Sequence, residues 1–442
     1  MTQFSDFGLA EPIAKALAAE GYHTPTPIQA QAIPSVMTGR DLCGIAQTGT
    51  GKTAAFALPT LHRLSKTPKS PTRGSVRCLV LAPTRELASQ IADSFRAYGR
   101  FMRLSVNVVF GGVPINKQIR DAGHGVDIMV ATPGRLIDLI DRGAVDLRKV
   151  EVLVLDEADQ MLDLGFIHAL KRIVQILPKQ RQTLFFSATM PRTIEDLAAR
   201  FLTDPVKVSV KPAATTAERV EQWVCFVNQS EKPALLQSVL RGDGVERSLV
   251  FTRTKHGADR VVRQLGNAGI TAEAIHGNKS QGQRERALDA FKRGNCKVLV
   301  ATDIAARGID VDGVSHVINY ELPNVPESYV HRIGRTARAG ATGQAIAFCA
   351  DDERPFLRDI EKLTRIKVDM LPLPADFRAL VSATAAREKA APPPPREERD
   401  PRSMAGRRPG GGGGQGKGRY ASAKPSRDPR VVVNPIRSRG PR

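Results

Sequence analysis

The stretch VEVLVLDEADQMLD, residues 150–163, joins a short apolar run to a cluster of carboxylates. Five of its first six residues are apolar, which is typical of a strand buried on both faces of a parallel sheet. Asp156, Glu157 and Asp159 then follow within four positions. Carboxylates this close repel one another and lose hydration when buried, so they require a cation or firm hydrogen-bond donors nearby. The stretch therefore predicts a buried parallel strand that ends beside positive charge.

Short apolar runs alternate with helical patterns over most of the chain. RCLVLAPT precedes RELASQIADSFRAYG, and VDIMVATPG precedes RLIDLIDRG. The rhythm restarts after a polar segment, with WVCFV, RSLVFTRT and KVLVATD. Apolar strands separated by helices predict an α/β fold with two tandem parallel-sheet domains, whose ligands bind beyond the carboxyl ends of the strands. The expected boundaries are a first domain at 1–210, a linker at 211–219, a second domain at 220–372 and a disordered basic tail at 373–442.

The overall composition is that of a soluble globular protein, with 41% hydrophobic and 25% charged residues. No apolar run approaches the about 18 residues of a transmembrane helix, and the N-terminus lacks the features of a signal peptide. We therefore expect a cytoplasmic monomer without membrane contact. The five cysteines are scattered without a CxxC pair, so we expect reduced, mostly buried thiols. The net charge of +20 favours a polyanion, most naturally nucleic acid, as the partner.

The segment AQTGTGKT, residues 46–53, lies between the short strand DLCGIA and the helical pattern AAFALPTLHRL. This order of strand, glycine-rich loop and helix is typical of a phosphate-binding loop. Glycines allow the backbone amides to turn toward phosphate oxygens, the lysine neutralises them, and the threonine is a ligand for Mg²⁺. We expect the nucleotide to be bound by the whole loop, which consists of Ala46, Gln47, Thr48, Gly49, Thr50, Gly51, Lys52 and Thr53.

A nucleoside triphosphate with Mg²⁺ supplies the positive charge that the acidic cluster requires. Asp156 is expected to hold the metal, in part through water, as Thr53 does from the loop. Glu157 is expected to orient or deprotonate the attacking water. The two motifs together predict hydrolysis of a nucleoside triphosphate.

Further motifs make the chain resemble the DEAD-box ATP-dependent RNA helicases, which are named for residues 156–159. The resemblance extends from about residue 4 to residue 348 and is carried by GYHTPTPIQ, PTRELA, the glycine pair 111–112, TPGR, SAT, FTRT, HGNKSQGQR, ATDIAARGID and HRIGRTARAG. It implies two RecA-like domains, ATP and Mg²⁺ as cofactors, and RNA-stimulated ATP hydrolysis that drives local separation of RNA duplexes and remodelling of RNA–protein complexes. Within the family, the compact core and the Arg/Gly-rich end resemble the bacterial RhlE-like branch.

The resemblance also implies roles for individual residues. Gln29 is expected to bind the edge of the adenine, with Phe4 or Tyr22 packed near it. Gly308 and Asp310 are expected to contact the nucleotide from the second domain. The catalytic set comprises Lys52, Asp156, Glu157, His331 and the arginine fingers Arg335 and Arg338. The residues expected to contact the backbone of single-stranded or duplex RNA are Thr84, Arg85, Gly112, Thr132, Arg135, Gly277, Arg284 and Thr302. Those expected to couple hydrolysis to RNA separation are Asp159, Ser187 and Thr189. Ala337 replaces the glycine that is more usual beside the fingers.

The C-terminal end and the choice of activity leave alternatives open. Residues 387–442 hold 15 Lys and Arg against 5 Asp and Glu, and this composition buries too little apolar surface to fold. The end is expected to tether RNA, with solubility alone or a protein partner at VVVNPI as alternatives. An ATP-gated RNA clamp with incidental unwinding and a DNA-directed motor are the alternative activities, although GYHTPTPIQ and SAT favour an RNA helicase.

Overall fold

A computed structural model describes residues 2–47, 49–210, 220–306, 311, 313–337 and 343–390. These residues contain two parallel sheets of seven strands each, which confirms the expected α/β fold with tandem parallel-sheet domains. We call the part with the first sheet, residues 2–210, the first lobe, and the part with the second sheet, residues 220–390, the second lobe. The expected linker at 211–219 lies outside the described residues.

The first lobe alternates strands and helices along the chain. Its strands are β1 (Leu42–Ile45), β2 (Val76–Leu81), β3 (Val106–Val109), β4 (Val126–Ala131), β5 (Val152–Leu155), β6 (Gln182–Ser187) and β7 (Val206–Ser209). Its helices are α1 (Glu11–Ala19), α2 (Pro27–Met37), α3 (Lys52–Lys66), α4 (Arg85–Tyr98), α5 (Ile115–Gly123), α6 (Pro133–Asp141), α7 (Ala158–Asp163), α8 (Ile167–Ile176) and α9 (Arg192–Phe201). The strands lie in the order β3-β4-β2-β5-β6-β1-β7.

The second lobe repeats this alternation. Its strands are β8 (Glu221–Phe226), β9 (Ser248–Thr252), β10 (Ala272–Ile275), β11 (Val298–Thr302), β12 (His316–Asn319), β13 (Gln344–Cys349) and β14 (Asp369–Met370). Its helices are α10 (Lys232–Leu240), α11 (Lys255–Asn267), α12 (Gln281–Lys292), α13 (Asp303–Ala306), α14 (Pro326–Ile333), α15 (Arg354–Thr364) and α16 (Phe377–Ala390). The strands lie in the order β10-β11-β9-β12-β13-β8-β14.

The register of the first sheet brings the ends of its central strands level. Leu81 at the end of β2 pairs with Ala131 of β4 on one side and with Leu155 of β5 on the other. All six residues of β2 are buried, as a strand covered by helices on both faces requires. The segments that follow these strands therefore leave the sheet at one edge, where parallel α/β sheets bind their ligands.

The end of the second lobe corrects the expected start of the disordered tail at residue 373. Helix α16 occupies residues 377–390, and its residues Phe377, Leu380 and Val381 join the hydrophobic core beside α10. These positions are three and four residues apart, so they form one apolar stripe of a helix. The composition of the longer segment concealed this stripe. Residues 391–442, which hold most of the expected basic tail, lie outside the described residues.

All five cysteines are buried, as predicted. None of the helices in the described part of the chain combines the length and the apolar character needed to cross a membrane.

Candidate functional site

The loop after β1 has the conformation that a phosphate-binding loop requires. The Ala46 N–H donates to the Ser187 carbonyl at 3.0 Å, which extends the pairing of β1 with β6. Gly49 and Gly51 then take φ values of 82° and 92°, in the left-handed region that favours glycine. Helix α3 begins at Lys52, so its N-terminal amides and positive dipole end face the loop.

Gly51 is required by close packing as well as by its φ angle. A Cβ at this position would lie 2.4 Å from Nε2 of Gln29. This nitrogen donates to the Gly51 carbonyl at 3.1 Å, while Oε1 of Gln29 accepts from the Thr26 N–H at 2.8 Å. The amide of Gln29 thus holds the loop from the start of α2. The expected contact of Gln29 with adenine stays a prediction. It would use the second N–H of Nε2 and the second lone pair of Oε1.

The acidic cluster lies directly against the lysine of the loop. Nζ of Lys52 is 4.0 Å from Oδ1 of Asp156, and both side chains are at most 5% exposed. Burial raises the pKa of Asp156 to about 6, and Glu157 adds to the rise while Lys52 opposes it. Nζ of Lys52 has no hydrogen-bond partner among the described residues. A buried ammonium with unused donors and a carboxylate that retains repulsion from its neighbours together fit a magnesium-bound phosphate.

The backbone conformation at Glu157 directs the carboxylates of Asp156 and Glu157 toward the same region. Glu157 has a φ of 52°, which is uncommon for a residue with a side chain. Its N–H donates to Oδ1 of Asp156 at 3.0 Å. This hydrogen bond holds the turn against Asp156, the residue expected to bind Mg²⁺. A strained backbone of this kind persists where the surrounding structure holds it and clusters at functional sites.

A cavity of about 440 Å³ is lined by ten of the predicted nucleotide-binding and catalytic residues, which come from both lobes, whereas Ala46, Gln47 and Thr50 do not line it. The predicted residues that line it are Phe4, Tyr22, Gln29, Gly49, Gly51, Lys52, Thr53, Asp156, Glu157 and Arg335. Arg335 is 5% exposed and comes from the second lobe, after α14. The cavity is therefore completed by both lobes, as the expected arginine finger requires.

The sequence reasoning missed a second wall of this cavity. Leu87, Gln90, Ser94 and Tyr98 of α4 line it. Their spacing of three or four residues marks one face of a helix, which is a signal that the sequence contained. Nε2 of Gln90 is buried and makes no hydrogen bond to the described residues. This amide is available to a ligand in the cavity.

The predicted coupling residues form one hydrogen-bonded group. Oδ2 of Asp159 accepts from the N–H groups of Ala188 and Thr189 at 3.1 and 3.0 Å, and from Oγ1 of Thr189 at 3.0 Å. Oγ of Ser187 donates to the carbonyl of Thr189 at 2.7 Å. The acidic turn after β5 and the turn after β6 are therefore joined directly, and the coupling role of these residues stays a prediction.

The RNA residues expected in the first lobe lie together at the same edge of the sheet. Thr84 caps α4 by accepting from the Leu87 N–H at 3.3 Å, and Thr132 occupies the equivalent position before α6. The guanidinium of Arg85 covers Gly112, where a Cβ would lie 2.0 Å from Nη1. Arg85 has a lowered pKa because of its burial and the nearby charge of Arg284. A group of cations that repel one another fits an anionic ligand.

Two arginines of the predicted RNA set make protein contacts. Arg135 donates to the Val113 carbonyl at 3.1 Å and so supports the loop that contains Gly112. Arg284 on α12 makes an ion pair of 2.8 Å with Glu86 on α4, where both side chains are at most 10% exposed. This ion pair joins the two lobes. The expected contacts of Arg135 and Arg284 with RNA stay a prediction. These contacts would use the guanidinium N–H groups that do not take part in the protein contacts.

The other predicted residues of the second lobe have different surroundings. Gly277 is exposed in the loop after β10, and Thr302 ends β11. His331 lines a cavity of about 220 Å³ that also contacts Thr189 and Arg335. The predicted residues outside the described part of the chain are Thr48, Gly308, Asp310 and Arg338.

Arg332 is a further residue that the sequence reasoning missed. Its side chain is 1% exposed, and its guanidinium donates to Oδ2 of Asp303 at 2.8 Å and to Oδ1 of Asn319 at 3.0 Å. It therefore connects the ends of β11 and β12 to α14, the helix that precedes the arginine finger. Ala337 lies just beyond the finger with a φ of 53°, so the backbone keeps a conformation that favours the more usual glycine.

Two family models and several known proteins match most of this chain. Residues 26–197 match the DEAD/DEAH box helicase model, and residues 231–340 match the helicase conserved C-terminal domain. The ATP-dependent RNA helicase CshA of Listeria monocytogenes is 45% identical over 374 residues, which cover 85% of this chain and 71% of that protein. The RNA helicase CrhR of Synechocystis sp. is 45% identical over 372 residues, which cover 84% of this chain and 74% of that protein.

A solved structure with bound ligands extends the likeness to the arrangement of both lobes. The structure of S. cerevisiae Dbp5 bound to RNA and ADP BeF3 matches with a TM-score of 0.75 and 31% identity. The match covers 88% of this chain and 100% of that one. It confirms the expected tandem RecA-like fold.

Proposed function

Since the chain belongs to the DEAD-box family of ATP-dependent RNA helicases, we propose that it couples RNA-stimulated ATP hydrolysis to local separation of RNA duplexes. The observation that carries this proposal is the cavity in which Lys52, Asp156 and Glu157 of the first lobe meet Arg335 of the second. A site divided between two lobes is complete only when they close. Binding of a second ligand across both lobes therefore promotes hydrolysis.

The chemistry that we propose follows from the charges in the cavity. Lys52 binds the terminal phosphates, Glu157 orients the attacking water, and Arg335 stabilises the negative charge that develops on the transferred phosphoryl group. Thr53 and Asp156 are the residues that would hold Mg²⁺, and their oxygen ligands are of the type that this ion prefers. When bound, Mg²⁺ neutralises phosphate charge and helps to orient the phosphates.

RNA is proposed to bind at the edge where Thr84, Arg85 and Thr132 leave the first sheet. Hydroxyl and guanidinium groups suit phosphate and sugar oxygens, so this binding does not depend on base sequence. The hydrogen bonds that Thr189 donates to Oδ2 of Asp159 connect the catalytic turn with the turn after β6. Movement of the lobes during closure is thereby linked to the state of the nucleotide. Assignment to the RhlE-like branch and a cytoplasmic location stay predictions.

The variant Glu157→Gln tests the proposed hydrolysis. It keeps the size of the side chain but loses the carboxylate, while Lys52 and Asp156 remain to bind the nucleotide. We expect RNA-stimulated ATP turnover to fall at least about 100-fold, the usual contribution of a general base, with ATP binding retained. Phosphate release and binding of a fluorescent ATP analogue measure the two effects. Turnover within a few-fold of wild type would exclude the role of Glu157.

A second comparison tests the nucleic acid. We expect RNA to stimulate the wild-type ATPase and to be separated from its complement in the presence of ATP. DNA of the same sequence is the matched control. Equal stimulation by both would contradict an RNA-directed helicase, and stimulation without strand separation would favour an ATP-gated clamp.

A further inference from the structure

A broad concavity of about 1100 Å³ lies on the first lobe, apart from the nucleotide cavity. Its lining comes from segments that immediately precede β2, β4 and β5. It therefore lies at the amino-terminal edge of the sheet, whereas the nucleotide cavity lies at the carboxyl-terminal edge. Strands of six residues separate the two edges by about 20 Å. We call this concavity the arginine groove, after its lining residues Arg73, Arg120, Arg142 and Arg148.

The charges of the arginine groove are largely uncompensated. Arg73, Arg120 and Arg142 are exposed, and none of the three has an ion-pair partner among the described residues. Arg148 is different, because its Nε and Nη2 donate to the two carboxylate oxygens of Asp146 at 2.9 Å each. Three guanidinium groups around one concave surface repel one another and favour a bound anion.

The floor of the groove is held by backbone hydrogen bonds. The Gly74 N–H donates to the Gly123 carbonyl at 3.1 Å, and the Asp146 N–H donates to the Gly74 carbonyl at 2.8 Å. Gly125 has a φ of 81°, and a Cβ there would lie 2.2 Å from the Thr72 carbonyl oxygen. The three segments that carry the arginines are therefore packed closely, and their relative positions are set by the fold.

Helix α5 connects the groove to the proposed RNA site. The helix begins at Ile115, three residues after Gly112, and ends at Gly123 in the groove. Its nine residues span about 14 Å. Gln118 is buried, whereas Lys117 and Arg120 are exposed and three residues apart, so they lie on one face of the helix. We call the proposed RNA site at Thr84, Arg85 and Thr132 the first RNA site. Basic side chains thus extend along the surface from this first RNA site to the groove.

We propose that the arginine groove is a second binding site for the RNA backbone, which holds the RNA that extends beyond the catalytic cleft along α5. This inference rests on the proposed binding of RNA by the chain. Guanidinium groups make forked contacts with phosphates, and such contacts carry no base information. The groove therefore increases the affinity for long RNA without selecting a sequence, and it leaves the chemistry of hydrolysis unchanged.

The test replaces Arg73, Arg120 and Arg142 together by glutamine in the full chain. A matched control replaces Arg103, Arg200 and Arg263, which are also exposed and lack ion-pair partners in the described part of the chain. A second variant replaces the three groove arginines by lysine, which retains the charge. Binding is measured by fluorescence anisotropy with an RNA of about 8 nucleotides, enough for the cleft, and one of about 40 nucleotides.

We expect the glutamine variant to bind the long RNA about tenfold more weakly and the control to bind it like wild type. The lysine variant should have an intermediate affinity, because it keeps the charge but loses the forked contacts. The slope of log affinity against log salt should decrease by about 2, since each lost single-strand contact contributes about 0.7. Binding of the short RNA and its maximal stimulation of ATPase should not change.

Two results would overturn the inference while the wild type still binds RNA. An unchanged affinity for the long RNA would overturn it and leave an acidic protein as the other class of ligand. An equal loss for the short RNA would place the three arginines in the first site or show a general charge effect. If the wild type fails to bind either RNA, the proposed function and this inference both fail.

Discussion

The ion pair between Glu86 and Arg284 predicts how strongly the two lobes favour closure. Oε1 of Glu86 and Nη2 of Arg284 are 2.8 Å apart, and the side chains are 6% exposed for Glu86 and 10% exposed for Arg284. Removal of one partner from a buried pair costs about 3–5 kcal/mol when the other charge stays buried. Here opening of the lobes returns Arg284 to water, so the cost falls on closure rather than on folding of either lobe. We take the lower value, about 3 kcal/mol.

We therefore expect Glu86→Gln to shift the equilibrium between open and closed lobes about 100-fold toward the open form, because each 1.4 kcal/mol is a factor of ten. In the proposed function RNA and ATP bind across the closed lobes, so we expect the RNA concentration for half-maximal ATPase to increase by up to the same factor. Steady-state ATPase rates over a wide range of RNA concentrations measure this shift. Thermal unfolding checks that the variant remains folded.

Combining Glu86→Gln with Arg284→Gln separates the ion pair from a direct role of Arg284 on RNA. If the pair acts as a unit, the double variant should be little worse than either single variant, with a coupling energy of at least about 1.5 kcal/mol. Effects that add within about 0.5 kcal/mol would refute this reasoning. They would instead support the contact between Arg284 and RNA that the sequence predicted.

The remaining predictions concern recognition of the adenine base by Gln29 and the backbone at Ala337, beside the expected arginine finger Arg335. Gln29→Ala should weaken the preference for ATP over GTP. It should also weaken ATP binding itself, because the side-chain amide of Gln29 holds Gly51 of the phosphate-binding loop. RNA-stimulated rates with the two nucleotides measure the preference, and an equal preference in wild type and variant would exclude recognition of the base by Gln29. Ala337→Gly should stabilise the chain by about 1 kcal/mol and raise the Tm by about 3 °C, since its φ of 53° favours glycine. Ala199→Gly, at an exposed position of α9, is the control and should lower the Tm.

The backbone around motifs of closely spaced residues follows the order of strand, loop and helix that the sequence predicted. The phosphate-binding loop and the acidic turn each combine a buried strand with a few residues whose types restrict the backbone and the charge. Gly51 shows why such motifs are informative, since its φ angle and its contact with Gln29 both exclude a side chain. Helix α16 shows the opposite case, because its apolar stripe was masked by the composition of the longer segment around it.

The sequence by itself determined that the chain forms two parallel α/β domains with a nucleotide loop and an acidic strand end, because hydrophobic period, glycine positions and charge act over a few neighbouring residues. Only the tertiary structure decided that Arg284 pairs with Glu86, that α4 forms a wall of the nucleotide cavity, and that separate loops meet in the arginine groove. These contacts join residues far apart in the chain. Their partners depend on strand order, register and closure of the lobes, which no local pattern specifies.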